Sequence, residues 1–335
     1  MDYTMILVVV IVILAIGFDF INGFHDTANA IATSVSTRAL SPRFAIIMAA
    51  AMNLLGALSF TGVAKTIGKD IANPLQLEHG LTVLIATLIS AIAWNLLTWW
   101  FGIPSSSSHA LIGALAGSVI ASEGFDGLQY GGFTKIVMGL IFSPIIAFVV
   151  GYIIMYVLKL VLANVSPHKI NKGFRWGQRV TAAWQSFAHG TNDAQKAMGI
   201  MMMALVAANI ETDMDAPIPL WVKLSAALAM AFGTSIGGWK IIKTMGTKIF
   251  KIEPVNGFAA DVSAAGVIQV ATLLHFPIST THSITSSILG VGAAKKFSSV
   301  NWSIAGRIVI TWFITIPAVA LLSTLIFYLL RLLNV

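Results

Sequence analysis

The sequence of 335 residues contains no cysteine, so no disulfide can brace it, and the redox state of its compartment leaves no mark on it. Charge is nearly as scarce. Asp, Glu, Lys and Arg together make up 10% of the chain, against about 25% in globular domains. No long polar stretch is left over that would form a soluble domain. What fills the chain is apolar sequence, 57% of residues, in recurring runs of the length that a spanning helix needs, about 20 residues. That is the composition of an all-α polytopic membrane protein. The net charge of +7 does not indicate a nucleic-acid partner, because the Lys and Arg residues lie in short connectors, where they report orientation.

The apolar segments fall at 4–37, 42–67, 79–122, 133–163, 176–209, 217–247, 254–295 and 300–332. The stretch Met5 to Ile16 has no basic leader before it and runs on into further helical sequence, so it reads as a first spanning helix rather than a signal peptide. Segments 79–122 and 254–295 are too long for one crossing, and each is expected to be a pair, either a re-entrant hairpin or two full helices. Segments 4–37 and 176–209 also exceed one straight crossing, which predicts a break or kink near Gly23 and Gly190.

Two motifs occur twice in the same order. Pro104-Ser105-Ser106-Ser107-Ser108-His109 returns as Pro277-Ile278-Ser279-Thr280-Thr281-His282, with positions 104 and 277 lying 173 apart. The frame F-x2-G-x2-D-x3-A occurs from Phe20 to Ala30 and from Phe187 to Ala197, with Asp26 and Asp193 lying 167 apart. Repetition at about half the chain length implies an internal duplication, residues 1–165 and 166–335. The connector bearing Lys159, His168, Lys169, Lys172, Arg175 and Arg179 is assigned to the cytoplasm, and the acidic stretches Glu123 to Asp126 and Glu211 to Asp215 to the outside. Both termini are then external, with Lys65, Lys69 and Arg331 as exceptions to the charge rule. Each half has an odd number of segments once the long ones count double. The second half is therefore inverted relative to the first, with about 10–12 membrane helices in total. Inverted repeats with broken helices or helical hairpins point to a secondary transporter whose substrate site lies at the midplane.

The Pro-hydroxyl-His clusters read as helix starts: Pro favours the first helical position and Ser or Thr the cap. Helix N-termini offer unpaired N–H groups and partial positive charge, a ready site for an anion. Ser105, Ser106, Ser107 and Ser108, with Ser279, Thr280 and Thr281, add hydroxyls suited to a tetrahedral oxyanion. His109 and His282 follow each cluster and read first as capping or packing residues, second as proton-linked ones. A carboxylate inside a spanning segment is costly and marks function, so Asp26 and Asp193 are the leading coupling residues. With Asn22, Asn29 and Asn192 they offer the oxygens that a hard cation such as Na⁺ requires. Lys196, three residues after Asp193, shares its helix face and either neutralises it or contacts the anion. Gln185, Asn256 and Asp261 are further intramembrane polar positions, and the role of Asp19 is open.

These motifs resemble the inorganic phosphate transporter (PiT) family. The resemblance lies in GFHDTANAIAT (Gly23–Thr33), PSSSSHALIG (Pro104–Gly113), AHGTNDAQKAMG (Ala188–Gly199), GTSIGGWK (Gly233–Lys240) and PISTTHSITSSILGVG (Pro277–Gly292), and covers essentially the whole chain. It implies a symporter moving inorganic phosphate with Na⁺ or H⁺, a homodimer in the cell membrane, with its acidic motif residues at Asp26 and Asp193 and its anion-binding hydroxyls in the two Pro clusters. Some relatives look like sulfate permeases, so sulfate is the rival anion and H⁺ the rival ion. An intramembrane aspartyl protease would leave the hydroxyl clusters unexplained, and Lys196 would be an awkward neighbour for its dyad. The chain reads as a transporter and not an enzyme.

Overall fold

The computed structural model describes residues 2–73 and 75–334, and among them there are helices and connectors but no strand. The helices are α1 (Tyr3–Ser36), α2 (Pro42–Ser59), α3 (Gly62–Asp70), α4 (Gly80–Phe101), α5 (Ser107–Glu123), α6 (Tyr130–Val161), α7 (Pro167–Ala207), α8 (Leu220–Ile236), α9 (Trp239–Lys243), α10 (Pro254–Leu273), α11 (Thr280–Lys296) and α12 (Trp302–Leu332). Five of these have the length and apolarity to cross a membrane alone, six if the bent α8–α9 unit is one span. The polar α7 begins at Pro167, so the basic residues expected in a connector from Lys169 to Arg175 are already helical.

Segments 79–122 and 254–295 form hairpins. The two limbs of α4–α5 meet at one face, where the Glu78 amide donates to Glu123 Oε1 at 3.0 Å. The limbs of α10–α11 meet at another, where Lys295 pairs with Glu253 at 2.7 Å. The chain termini lie at the first face, since Tyr3 donates to the Asn334 carbonyl at 2.9 Å and Arg331 lies 3.2 Å from His79. Arg179, which donates to the Ala39 carbonyl, lies at the second face with the α1–α2 turn. The three charge-rule exceptions have local partners at the terminal face. Lys65 donates to the Asp215 carbonyl and Lys69 pairs with the Asp215 carboxylate, so the acidic loop before α8 offsets both. The ammonium of Lys69 holds the exposed Asp215 carboxyl below its ordinary range.

The expected breaks at Gly23 and Gly190 do not occur: α1 and α7 are each helical throughout. These glycines serve close approach instead. A Cβ on Gly23 would fall 2.3 Å from the Met230 carbonyl oxygen, and one on Gly233 would fall 1.9 Å from that of Phe20, so α1 and α8 touch backbone to backbone. Gly190 and Gly56 do the same for α7 and α2. The breaks fall one helix later, between α2 and α3 at Phe60-Thr61 and between α8 and α9 at Gly237-Gly238, the second with a 63° bend.

The two halves of the chain interlock rather than forming separate bundles. α1 packs on α8 and α7 on α2, while α6 packs on α11 and α12 on α5. Both α6 and α12 carry an internal proline, Pro144 and Pro317, which are 173 positions apart like the two Pro clusters. The buried apolar residues form two clusters. One gathers Val8 to Phe18 with α3, α4, α5 and the second half of α7; the other gathers Ala28 to Leu40 with the first half of α7, α10 and α11. Between them, at residues 19–27 of α1 and 189–193 of α7, lies a buried polar layer.

Gly233→Ala is expected to lower the thermal unfolding midpoint in detergent, by the equivalent of about 1–3 kcal/mol as overpacking typically does. Gly173→Ala, which has open space around the new methyl, is expected to leave the midpoint unchanged.

Candidate functional site

Each hairpin delivers its second limb into the polar layer. α5 starts at Ser107, capped by Ser106, whose hydroxyl accepts from the His109 amide at 3.1 Å. α11 starts at Thr280, capped by Ser279, which accepts from the His282 amide at 3.1 Å. The same Pro-x4-His frame thus yields the same cap twice, and a helix start leaves its other first-turn N–H groups without intrahelical partners. The two tips meet. The His109 and His282 rings lie 4.2 Å apart, His282 stacks on Trp312, and Ser108 donates to the Ile278 carbonyl at 2.8 Å.

The aspartates sit between the tips. Asp26 accepts from Thr281 of one hairpin at 2.9 Å and from Ser107 of the other, whose hydroxyl also lies 3.0 Å from Asn22 Oδ1. Asn29 donates to the Thr281 hydroxyl at 2.9 Å. Asp193 accepts from Thr280 at 2.9 Å and from Lys196, and Lys196 reaches on to Ser108. Lys196 is thus paired with Asp193 and at the same time donates to Ser108 of the other half. All of these side chains are sealed from solvent, with Asp26 at 1% exposure and Asp193 and Lys196 at 0%. The two carboxylates, one on each half of the chain, converge: Asp26, Asp193 and His189 each present a ligand atom, all within 4.8 Å of one another.

Sequence reasoning missed the two imidazoles. His25 bridges Asp26 at 2.7 Å and Thr98 at 3.1 Å. His189 places Nε2 3.1 Å from Asp193 and Nδ1 3.0 Å from Asn53 Oδ1. Asn53 is oriented by its own amide, which donates to Thr27 and Thr234. The signal was available, because His25 precedes Asp26 directly and His189 lies one helical turn before Asp193.

Other expected residues stand apart from the aspartates. Ser105 accepts from the Trp94 indole at 3.1 Å within its own hairpin. Ser106 and Ser279 are committed to capping. Asn192 is turned toward the second hairpin, donating to Thr272 and to the Phe276 carbonyl, so it pins that tip instead of lining the carboxylate pair. Gln185 is buried, and neither of its amide atoms has a partner. Asp261, equally buried, accepts from Thr33 at 2.7 Å and Thr181 at 3.2 Å instead. Two apolar grooves of 690 and 630 Å³ flank α6; the second is lined in part by His109 and His282, and neither is lined by Asp26 or Asp193.

A model of the phosphate transporter family matches residues 22–323, which takes in both hairpins and both aspartates. The chain belongs to the phosphate transporter family. It is a transporter, not an enzyme. It is 60% identical over 331 residues to a protein of Bacillus subtilis (strain 168) described as "Probable low-affinity inorganic phosphate transporter", covering 99% of each chain. A protein of the same description from Rhizobium meliloti (strain 1021) is 43% identical, covering 96% of each. A solved structure described as "The sodium-dependent phosphate transporter" superposes with a TM-score of 0.87 at 26% identity, over 97% of this chain and 99% of that one.

In this transporter the Asp193–Lys196 pair is fully buried, and removing one partner of such a pair strands the other charge. Lys196→Met is expected to destabilise the protein by about 3–5 kcal/mol. Adding Asp193→Asn to that variant should restore part of the loss, read as the unfolding midpoint in detergent.

Proposed function

We propose that the protein imports inorganic phosphate by symport with Na⁺, with the anion bound at the midplane between the starts of α5 and α11. The observation that carries this reading is the convergence of two capped, hydroxyl-rich helix N-termini on Asp26 and Asp193. Ser107, Ser108, Thr280 and Thr281 supply donors to the phosphate, and Lys196 adds a positive charge. Na⁺ takes oxygens of Asp26, Asp193, Asn22 and Asn29, since hard cations favour carboxylate and amide oxygens.

Charge explains the coupling. Two carboxylates face one lysine in the layer, so an incoming phosphate meets net negative charge in a low-dielectric setting. Cations bound beside the aspartates remove that repulsion, and phosphate in turn raises their affinity, as linkage requires. Na⁺ is favoured over H⁺ because several neutral oxygens surround the carboxylates, which a proton does not need. The description of the similar solved structure as sodium-dependent points the same way.

Alternating access follows from two inverted repeats, 1–165 and 166–335, rocking about the fixed site. The crossed packing of α1 on α8 with α7 on α2, and of α6 on α11 with α12 on α5, supports such a relation. We further assign the protein to the plasma membrane as a homodimer, with both termini and the Asp215 loop outside and the Arg179 face in the cytoplasm.

Radiolabelled phosphate uptake into proteoliposomes is expected to rise with an inward Na⁺ gradient and to resist competition by sulfate. Uptake indifferent to Na⁺, or displaced by sulfate, contradicts the reading. Asp26→Asn is expected to reduce coupled uptake to background while the protein elutes as the wild type does. Because the chain has no cysteine, single substitutions test the orientation directly: Thr212→Cys should react with an impermeant thiol reagent on intact cells, and Gly173→Cys only after the membrane is opened.

A further inference from the structure

The first turns of α7 carry a row of cations that the polar layer does not use. His168, Lys172, Arg175 and Arg179 are spaced four, three and four residues apart, so they lie on one face of the helix. All four are exposed, and with Asn171 and Trp176 they line a polar cleft of 530 Å³. None of them pairs with a carboxylate among the described residues. No Asp or Glu occurs between Asp126 and Asp193, and Glu253, at the same face as Arg179, is already held by Lys295. The row sits on a fixed base. Arg179 donates to the Ala39 carbonyl at 2.9 Å, and the Phe174 ring meets that of Phe258 on α10 edge-on at 5.1 Å.

An apolar strip runs beside the cations. Trp176 is 67% exposed, and Val180, one turn further on, is 53% exposed. A second cavity, an apolar groove of 260 Å³, is lined by Leu162, Val165, Ile170, Phe174 and Phe258, and Trp176 borders both it and the polar cleft. Exposed apolar side chains on a bundle of spanning helices belong against acyl chains, and Trp settles at the level of the headgroups. Cations next to such a Trp face the layer where lipid phosphates lie. A free anion would use the cations and leave Trp176 and Val180 uncovered. A phospholipid uses both, since its phosphate accepts from Lys and Arg while its chain covers the strip. A zwitterionic headgroup brings a further positive charge into a row that has no carboxylate, so charge complementarity selects an anionic lipid.

We propose that the start of α7 binds an anionic phospholipid, its phosphate accepting from Lys172, Arg175 and Arg179 and an acyl chain lying along Trp176 and Val180. α7 runs unbroken from this face to Asp193 and Lys196. The bound lipid therefore ties the helix that carries both residues to the surface of the bilayer. Binding at this face does not depend on which ion is coupled to phosphate.

Native mass spectrometry of the purified, delipidated full-length protein tests this, with phosphatidylglycerol and phosphatidylcholine of the same chain length added in turn. The wild type should retain phosphatidylglycerol in preference. Lys172→Gln combined with Arg175→Gln should weaken its binding about thirtyfold, about a factor of five for each surface cation. Lys243→Gln combined with Lys248→Gln removes the same charge from two other exposed positions and should bind as the wild type does. Trp176→Ser, which keeps all four cations, should also weaken binding. Equal retention of the two lipids overturns the site, as does wild-type affinity in the Lys172 and Arg175 variant or in Trp176→Ser. Displacement of the lipid by an equal concentration of inorganic phosphate overturns it in favour of the free anion. A Lys172 and Arg175 variant that passes from dimer to monomer overturns it in favour of a second copy of the chain at this face.

Discussion

The hydrogen bonds from the two hairpin tips to Asp26 and Asp193 are what the rest of the structure is arranged to permit. An aspartate at the centre of a spanning helix costs roughly 2.5–3.5 kcal/mol on insertion scales. Here two of them lie close together, sealed between two apolar clusters. Ser107, Thr280, Thr281 and Lys196 offset that cost; the three hydroxyls are brought to the layer by the starts of α5 and α11, and Lys196 by α7 itself. The hairpins therefore follow from the carboxylates. So do the glycine contacts, because α1 and α7 must approach α8 and α2 closely to hold both aspartates at one level.

The arrangement crosses between the two halves of the chain. Asp26, from the first half, is held partly by Thr281 of the second; Lys196, from the second, reaches Ser108 of the first. Each aspartate also has an imidazole at its side, His25 or His189, tied in turn to Thr98 or Asn53. Such outer partners fix the orientation of ligating groups. The α10–α11 hairpin donates to both carboxylates, whereas the α4–α5 hairpin donates to Asp26 and meets Asp193 only through Lys196. Under the proposed symport, coupling between ion and anion needs no long-range path, since one set of hydroxyls would serve both.

Much of this was legible in the sequence because the chemistry was doubled. The paired Pro clusters identified the caps, and Asp26 and Asp193 were marked by being carboxylates in apolar surroundings. The convergence of the two aspartates was not legible, as nothing in either motif states which helices face each other. Glycine misled for a physical reason. Gly23 and Gly190 look the same in sequence whether they break a helix or admit a neighbour's backbone, and only Met230 and Asn53 opposite them decide which. Asn192 shares a motif with Asp193 yet turns toward Phe276, because adjacent helical residues point about 100° apart. Pro144 and Pro317 carried a further trace of the duplication that passed unread, since a lone proline in an apolar run looks like a simple kink.

The central claim is that the two helix starts hold one phosphate between them. An experimental structure of the protein with phosphate and Na⁺ bound tests it most directly. The account predicts anion density within hydrogen-bonding distance of Ser107 or Ser108 on one side and Thr280 or Thr281 on the other, with cation density against Asp26 and Asp193. Phosphate bound to only one hairpin, or outside the polar layer altogether, would contradict it.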